Sequence, residues 1–284
     1  MSFAERSFAG FWRRFRRNTP ATAALFMLVA ICALALVAPL VYPGDPFAIV
    51  GKPFAPPFGP NLLGTDQLGR DVAAGIARGA ITSLMIGIIA TLCAILIGVV
   101  VGGAAGYFGG RTDTLLMRAT EAFQTVPAFI FAIVLVAILS PSLGSTIIAI
   151  AIVSWPPMAR LTRGEFLATR NREFVQACLS LGMSDARVIL RHILPNCASA
   201  IIVTGSLMVA TAILIESGLS FLGLGDANLM SWGYLIGAGR TALRTAWWVC
   251  AFPGIAILLT VLSINLVGEG LNDALNPRLR HADC

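Results

Sequence analysis

The sequence is poor in charge and nearly devoid of lysine. Of its 284 residues 12% are charged, and Lys52 is the single lysine. Against this, 57% of the chain is hydrophobic. A soluble fold of this length cannot cover so much apolar surface, so lipid is expected to be its main solvent. No G-x-x-x-x-G-K-[ST] phosphate loop occurs, which excludes ATP hydrolysis by that machinery within this chain. No nucleophile, base and orienting group stand together, so no catalytic residue is assigned. The two histidines, His192 and His281, are far apart, and no metal cluster is expected. Cys32, Cys93, Cys178, Cys197, Cys250 and Cys284 have no paired spacing and read as small apolar residues. The net charge of +6 raises the question of nucleic acid, but the arginines sit in short segments beside apolar spans and lack the interleaved aromatics of a base-stacking platform.

What the chain has is apolar runs of membrane length. Residues 3–17 form a basic amphipathic segment with Phe8, Phe11, Trp12 and Phe15 on one face, which reads as an interfacial helix on an anionic cytoplasmic leaflet. It leads into a run of full spanning length, so it is not expected to be a cleaved signal. Thr19 is the expected cap and Pro20 the first helical residue. Six spans follow: about 21–40, 81–105, 122–139 with a kink at Pro127, 143–158, 198–219 and 247–267. Gly98, Gly102, Gly106 and Gly110 recur every four residues and predict a close helix contact, although Gly109 and Gly110 also read as turn glycines. Residues 42–80 are rich in Pro and Gly and read as an extended outer segment. The chain thus divides into 1–80 and a five-span core, 81–284, with a loop at 160–197.

That loop carries the longest amphipathic run with real charge, 173–196. Phe174, Ala177, Cys178 and Leu181 fall on one face of a short helix. Gly182 stands where the helix needs a left-handed residue. Ser184 is the expected cap of a second helix with Val188, Ile189 and His192 on one side, and Pro195 ends it. With six spans and the N-terminus inside, fifteen Arg fall on inner segments and five Lys or Arg on outer ones. This favours both termini, and the loop, in the cytoplasm.

No charged residue falls near the middle of a span, which lowers an ion-coupled carrier. Glu216, near the outer end of the fifth span, reads as a pathway residue or as an interfacial carboxylate reaching towards water. Gln124 and Asn265 read equally as cavity lining or as interhelical hydrogen bonds.

Residues 173–196 resemble the EAA loop of ABC importer permeases, E-A-A-x-x-x-G followed after nine residues by I-x-L-P. The aligned residues are Gln176, Ala177, Cys178, Gly182, His192, Leu194 and Pro195, of which Ala177, Gly182, Leu194 and Pro195 match and the others depart. LLGTDQLGRDV (62–72), ESGLSFLGLG (216–225), GEGLNDALNP (268–277) and RHILPN (191–196) resemble the C-type subunit of the dipeptide/oligopeptide/nickel branch. Asn272 and Asn276 stand where Arg and Asp are more usual.

The resemblance implies an all-α polytopic membrane protein of the type I importer permease fold in a bacterial inner membrane. It implies a second homologous permease, two ATP-binding subunits that hold ATP and Mg, and an extracytoplasmic binding protein. The loop would be the coupling helix, with Phe174, Gln176, Ala177, Cys178, Leu181, Gly182, Asp185, His192 and Pro195 at the ATPase contact. No cofactor is expected in this chain. Short peptides are the expected substrate, with nickel chelates or glutathione-like conjugates as alternatives and a secondary carrier or a scaffold as rivals.

Overall fold

The computed structural model describes Trp12 and residues 15–275. Most of the amphipathic N-terminal segment and the tail beyond residue 275, with Asn276 and His281, lie outside them. From residue 19 on, the described residues form ten α-helices: α1 (Thr19–Val41), α2 (Val72–Phe108), α3 (Gly110–Gln124), α4 (Ala128–Leu139), α5 (Leu143–Arg170), α6 (Glu173–Ser180), α7 (Asp185–Val188), α8 (Leu194–Phe221), α9 (Trp232–Gly239) and α10 (Trp248–Leu275). Extended structure among the described residues is limited to two isolated bridges, Ile49 with Arg70 and Thr65 with Asp71. Five helical stretches are long and apolar enough to cross a bilayer, and α3 with α4 makes a sixth if that bent pair is one span.

The first span forms as expected, but its cap is Asn18, one residue earlier than Thr19. The Asn18 side chain accepts from the Ala21 amide at 3.1 Å, and Pro20 sits in the first turn, where its missing N–H costs nothing.

The second span begins well before Ile81. Asp71 accepts from the amides of Ala73 and Ala74, so α2 starts at Val72 and runs for 37 residues. Residues 42–71 are a folded module and not an extended spacer. Asp66 Oδ1 accepts from the amides of Leu68 and Arg70, and the Thr65 hydroxyl accepts from Ala55 N and donates to the Lys52 carbonyl. Trp248 of α10 donates its indole N–H to the Thr65 carbonyl at 3.2 Å.

The glycine repeat of α2 packs on α5. A Cβ on Gly98 would meet Met158, one on Gly106 the Arg163 carbonyl and Phe166, and one on Gly102 would collide with the Ala159 carbonyl. Backbone approach this close needs glycine. Gly109 and Gly110, both at positive φ, form the turn into α3.

The third span is a break, not a kink. α3 and α4 meet at 82° around Pro127, which supplies the extended backbone before α4. α4 has 12 residues, about 18 Å of helix. Arg163 of α5 grips Asp113 of α3 with two bonds, Nη2 to Oδ2 at 2.6 Å.

α5 continues past Met158 to Arg170, through Pro156 and Pro157. Ser142 and Ser145 close a capping box at its start. α8 begins as a continuation of the loop, and α10 runs beyond Val267 to Leu275.

Candidate functional site

The loop between α5 and α8 is where the sequence placed most of its candidate residues. α6 spans Glu173–Ser180, with Glu173 in the first turn favouring the positive end of the helix dipole. Gly182 adopts φ +78°, and the amides of Gly182 and Met183 return to the carbonyls of Leu179 and Cys178. This is the left-handed helix stop expected from its position.

α6 has two apolar faces. Val175 is fully buried, and Cys178 and Leu179 pack beside it against Tyr107, Phe166, Val188, Ile193 and Cys197. This face holds the helix to the bundle. Phe174 is 40% and Leu181 84% exposed, with Gln176 and Ala177 also exposed between them. The expected face of Phe174, Ala177, Cys178 and Leu181 is therefore the outward one, except at Cys178. The anchoring residues Val175 and Leu179 were missed, although their i, i+4 spacing with Cys178 between carries the signal.

Gln176 uses its side-chain amide to donate to the Arg170 carbonyl at 3.0 Å, closing α6 back onto the end of α5. A carboxylate at this position has no N–H to give. Asp185, exposed at the start of α7, accepts from the Tyr107 hydroxyl at 2.6 Å.

The second half of the loop departs from expectation. Ser184 sits at the cap position with extended backbone, but its side chain makes no capping bond. Pro195 does not end a separate helix. α7 passes through a π-helical turn, Ile189–Ile193, directly into α8, and Pro195, which has no N–H to give, follows that turn as the second residue of α8. His192 stands in that π turn, its Nε2 buried without a hydrogen-bond partner and its carbonyl accepting from the Asn196 side chain.

The pathway candidates are not brought together. Glu216 is 1% exposed and does not reach towards water. It accepts from Ser220 and Ser231 at 2.8 Å and from Ser217 and Ser83 at 3.4 and 3.5 Å. These hydroxyls tie α8 to α2 and to the cap of α9, since Ser83 also accepts from the Trp232 amide and Ser231 from the Tyr234 amide. The cavity beside Glu216 measures about 10 Å³ and is lined also by Thr82, Thr146 and Asp226. Gln124, at the end of α3, and Asn265, in α10, are half-buried and neither lines it. Among the described residues no group of His, Cys, Asp and Glu side chains is placed to hold a metal.

Comparison with known proteins supplies the context for this arrangement. Residues 94–281 match the model of the binding-protein-dependent transport system inner membrane component, and residues 7–62 match that of the N-terminal TM domain of oligopeptide transport permease C. The dipeptide transport system permease protein DppC of Bacillus subtilis (strain 168) is 41% identical over 275 residues, covering 95% of this chain and 85% of that protein. The di/tripeptide transport system permease protein DppC of Pseudomonas aeruginosa (strain UCBPP-PA14) is 39% identical, covering 96% and 92%. The oligopeptide transport system permease protein OppC of Bacillus subtilis is 40% identical, covering 94% and 88%. Among solved structures, the inward-facing MetNI methionine ABC transporter matches with a TM-score of 0.58 at 15% identity, over 71% of this chain and 96% of that one. With the family model spanning well over half of the residues and relatives aligned nearly end to end, the chain belongs to the binding-protein-dependent transport system inner membrane components.

Proposed function

We propose that this chain is one permease subunit of an ATP-driven importer that carries di- or oligopeptides across the cytoplasmic membrane. It pairs with a second homologous permease and receives substrate from an extracytoplasmic binding protein. Two ATP-binding subunits hydrolyse ATP on the inner side. The chain itself lies N-in and C-in, so the 171–184 end of the bundle faces the cytoplasm.

The observation that carries this reading is the outward face of α6. Phe174 and Leu181 stand exposed on a helix and its cap whose other face is anchored by the fully buried Val175. An amphipathic helix that shows its second apolar face to solvent suits a groove on a partner. The peptide assignment is supported by the similarity to dipeptide, di/tripeptide and oligopeptide permeases.

The test is uptake by the complex reconstituted in proteoliposomes with its ATPase subunits and binding protein. Dipeptides, longer peptides, Ni²⁺ chelates and glutathione are offered separately. ATP-dependent uptake of a peptide is expected. Uptake driven by an ion gradient with no ATPase present would overturn the reading, and ATP-dependent uptake of Ni²⁺ chelates or glutathione in place of peptides would replace the substrate while leaving the machinery.

A further inference from the structure

The loop is joined covalently to α5 and α8, and not to α2. Yet one specific polar contact ties it to α2. Tyr107, the last residue but one of α2, is 4% exposed and donates its hydroxyl to Asp185 Oδ1 at 2.6 Å across 78 residues of sequence. The Arg170 guanidinium, at the end of α5, lies over the Tyr107 ring at 5.4 Å. The ring itself belongs to the apolar cluster that anchors α6 and the π turn, with Phe166, Val175, Val188 and Ile193. Tyr107 is thus touched by the end of α5 and by the second half of the loop, and shares its apolar cluster with α6.

Three features make this more than packing. A hydroxyl bonded to a carboxylate at this length belongs to the stronger class of hydrogen bonds. Among the described residues it is the one side-chain hydrogen bond between α2 and residues 171–193. And α2 is a single helix of 37 residues, about 55 Å long, whose far end is capped by Asp71 of the 42–71 module. Its glycine face locks it to α5 along the way. A push on the loop that reaches Tyr107 therefore reaches the opposite face of the membrane along one rigid element.

We infer that Tyr107 is a positioning residue for coupling. It fastens the second half of the loop to α2, so that loop displacement moves α2 and the outer module together with α5 and α8. This rests on the reading of the loop as the ATPase contact. Without the hydroxyl, the loop still docks its partner, but part of its displacement is lost before α2 moves.

The experiment uses the complete complex in proteoliposomes. Tyr107→Phe keeps the ring, its packing and the Arg170 contact, and removes one oxygen. The readout is peptide taken up per ATP hydrolysed, beside the ratio of ATPase subunit to permease on purification. Tyr107→Phe is expected to lower uptake per ATP by about fivefold with the subunit ratio unchanged. Asp185→Asn, which keeps an acceptor, is expected to lower it less. The double variant should be no worse than Tyr107→Phe alone, because the two residues act through one bond. Wild-type uptake per ATP in Tyr107→Phe overturns the inference. Loss of the ATPase subunits from Tyr107→Phe also overturns it, since the residue would then shape the docking surface itself. Wild-type complex that takes up peptide without ATP brings down the loop reading, and the inference with it.

Discussion

The two ends of the bundle are held together by different physics. At the loop end, Val175, Val188, Ile193 and Cys197 are fully buried in an apolar cluster, joined by separate single polar links: Tyr107 to Asp185, Gln176 to the Arg170 carbonyl, and the Thr169 hydroxyl with the Cys197 thiol. At the opposite end a buried carboxylate, Glu216, gathers four serine hydroxyls from three elements, and the 42–71 module is threaded by bonds from Asp66, Thr65 and Trp248. Apolar packing is non-directional and lets a helix shift by a fraction of a turn. A hydrogen-bonded network fixes distances and leaves costly orphans when it is pulled apart. The apolar loop end can shift as a unit, and the hydrogen-bonded opposite end keeps its shape.

Substitutions break this contrast in graded steps. Glu216→Ala strips the acceptor from four buried hydroxyls and leaves a void. We expect a loss of about 3 kcal/mol, read as a lower thermal midpoint of the detergent-purified complex, with Glu216→Gln in between. An unchanged midpoint would mean that the polar network does not hold that end. Gly102→Val forces a side chain against the Ala159 carbonyl and should cost about 2 kcal/mol by the same measurement. Trp248→Phe removes the bond to the Thr65 carbonyl and should cost about 1 kcal/mol, concentrated in residues 42–71. Faster protease cleavage confined to that module is the expected sign, and uniform cleavage would place the indole's role elsewhere. Arg118→Ala deletes an exposed i, i+3 pair with Glu121 at 4.0 Å, and its effect should stay within about 0.5 kcal/mol.

Much of this was legible from local pattern. The glycine face of α2 and the helix stop at Gly182 each depend on neighbours within a turn or two, whereas the cap of α1 lies one residue before the expected Thr19. The errors lie where local signals conflict. Residues 72–80 read as part of the Pro- and Gly-rich outer segment 42–80, but the Asp71 cap makes them the first turns of α2. The fourth span reads as ending near 158, yet α5 runs through Pro156 and Pro157 to Arg170, because a helix held on one face by α2 tolerates lost amide donors. The remaining misses are long-range. Glu216 reads as a pathway residue or an interfacial carboxylate until Ser83 and Ser231 are brought to it, and nothing in the spacing of Tyr107 and Asp185 announces their contact.

The most direct measurement addresses the outward face of α6. Phe174→Glu combined with Leu181→Glu places two charges on exposed positions and leaves Val175, Cys178 and Leu179 in the anchoring cluster. The purified permease pair should keep its thermal midpoint, lose its ATPase subunits on co-purification, and fail to take up peptide on ATP addition. Retention of the ATPase subunits at the wild-type ratio, with uptake intact, would contradict the assignment of this face as the coupling surface.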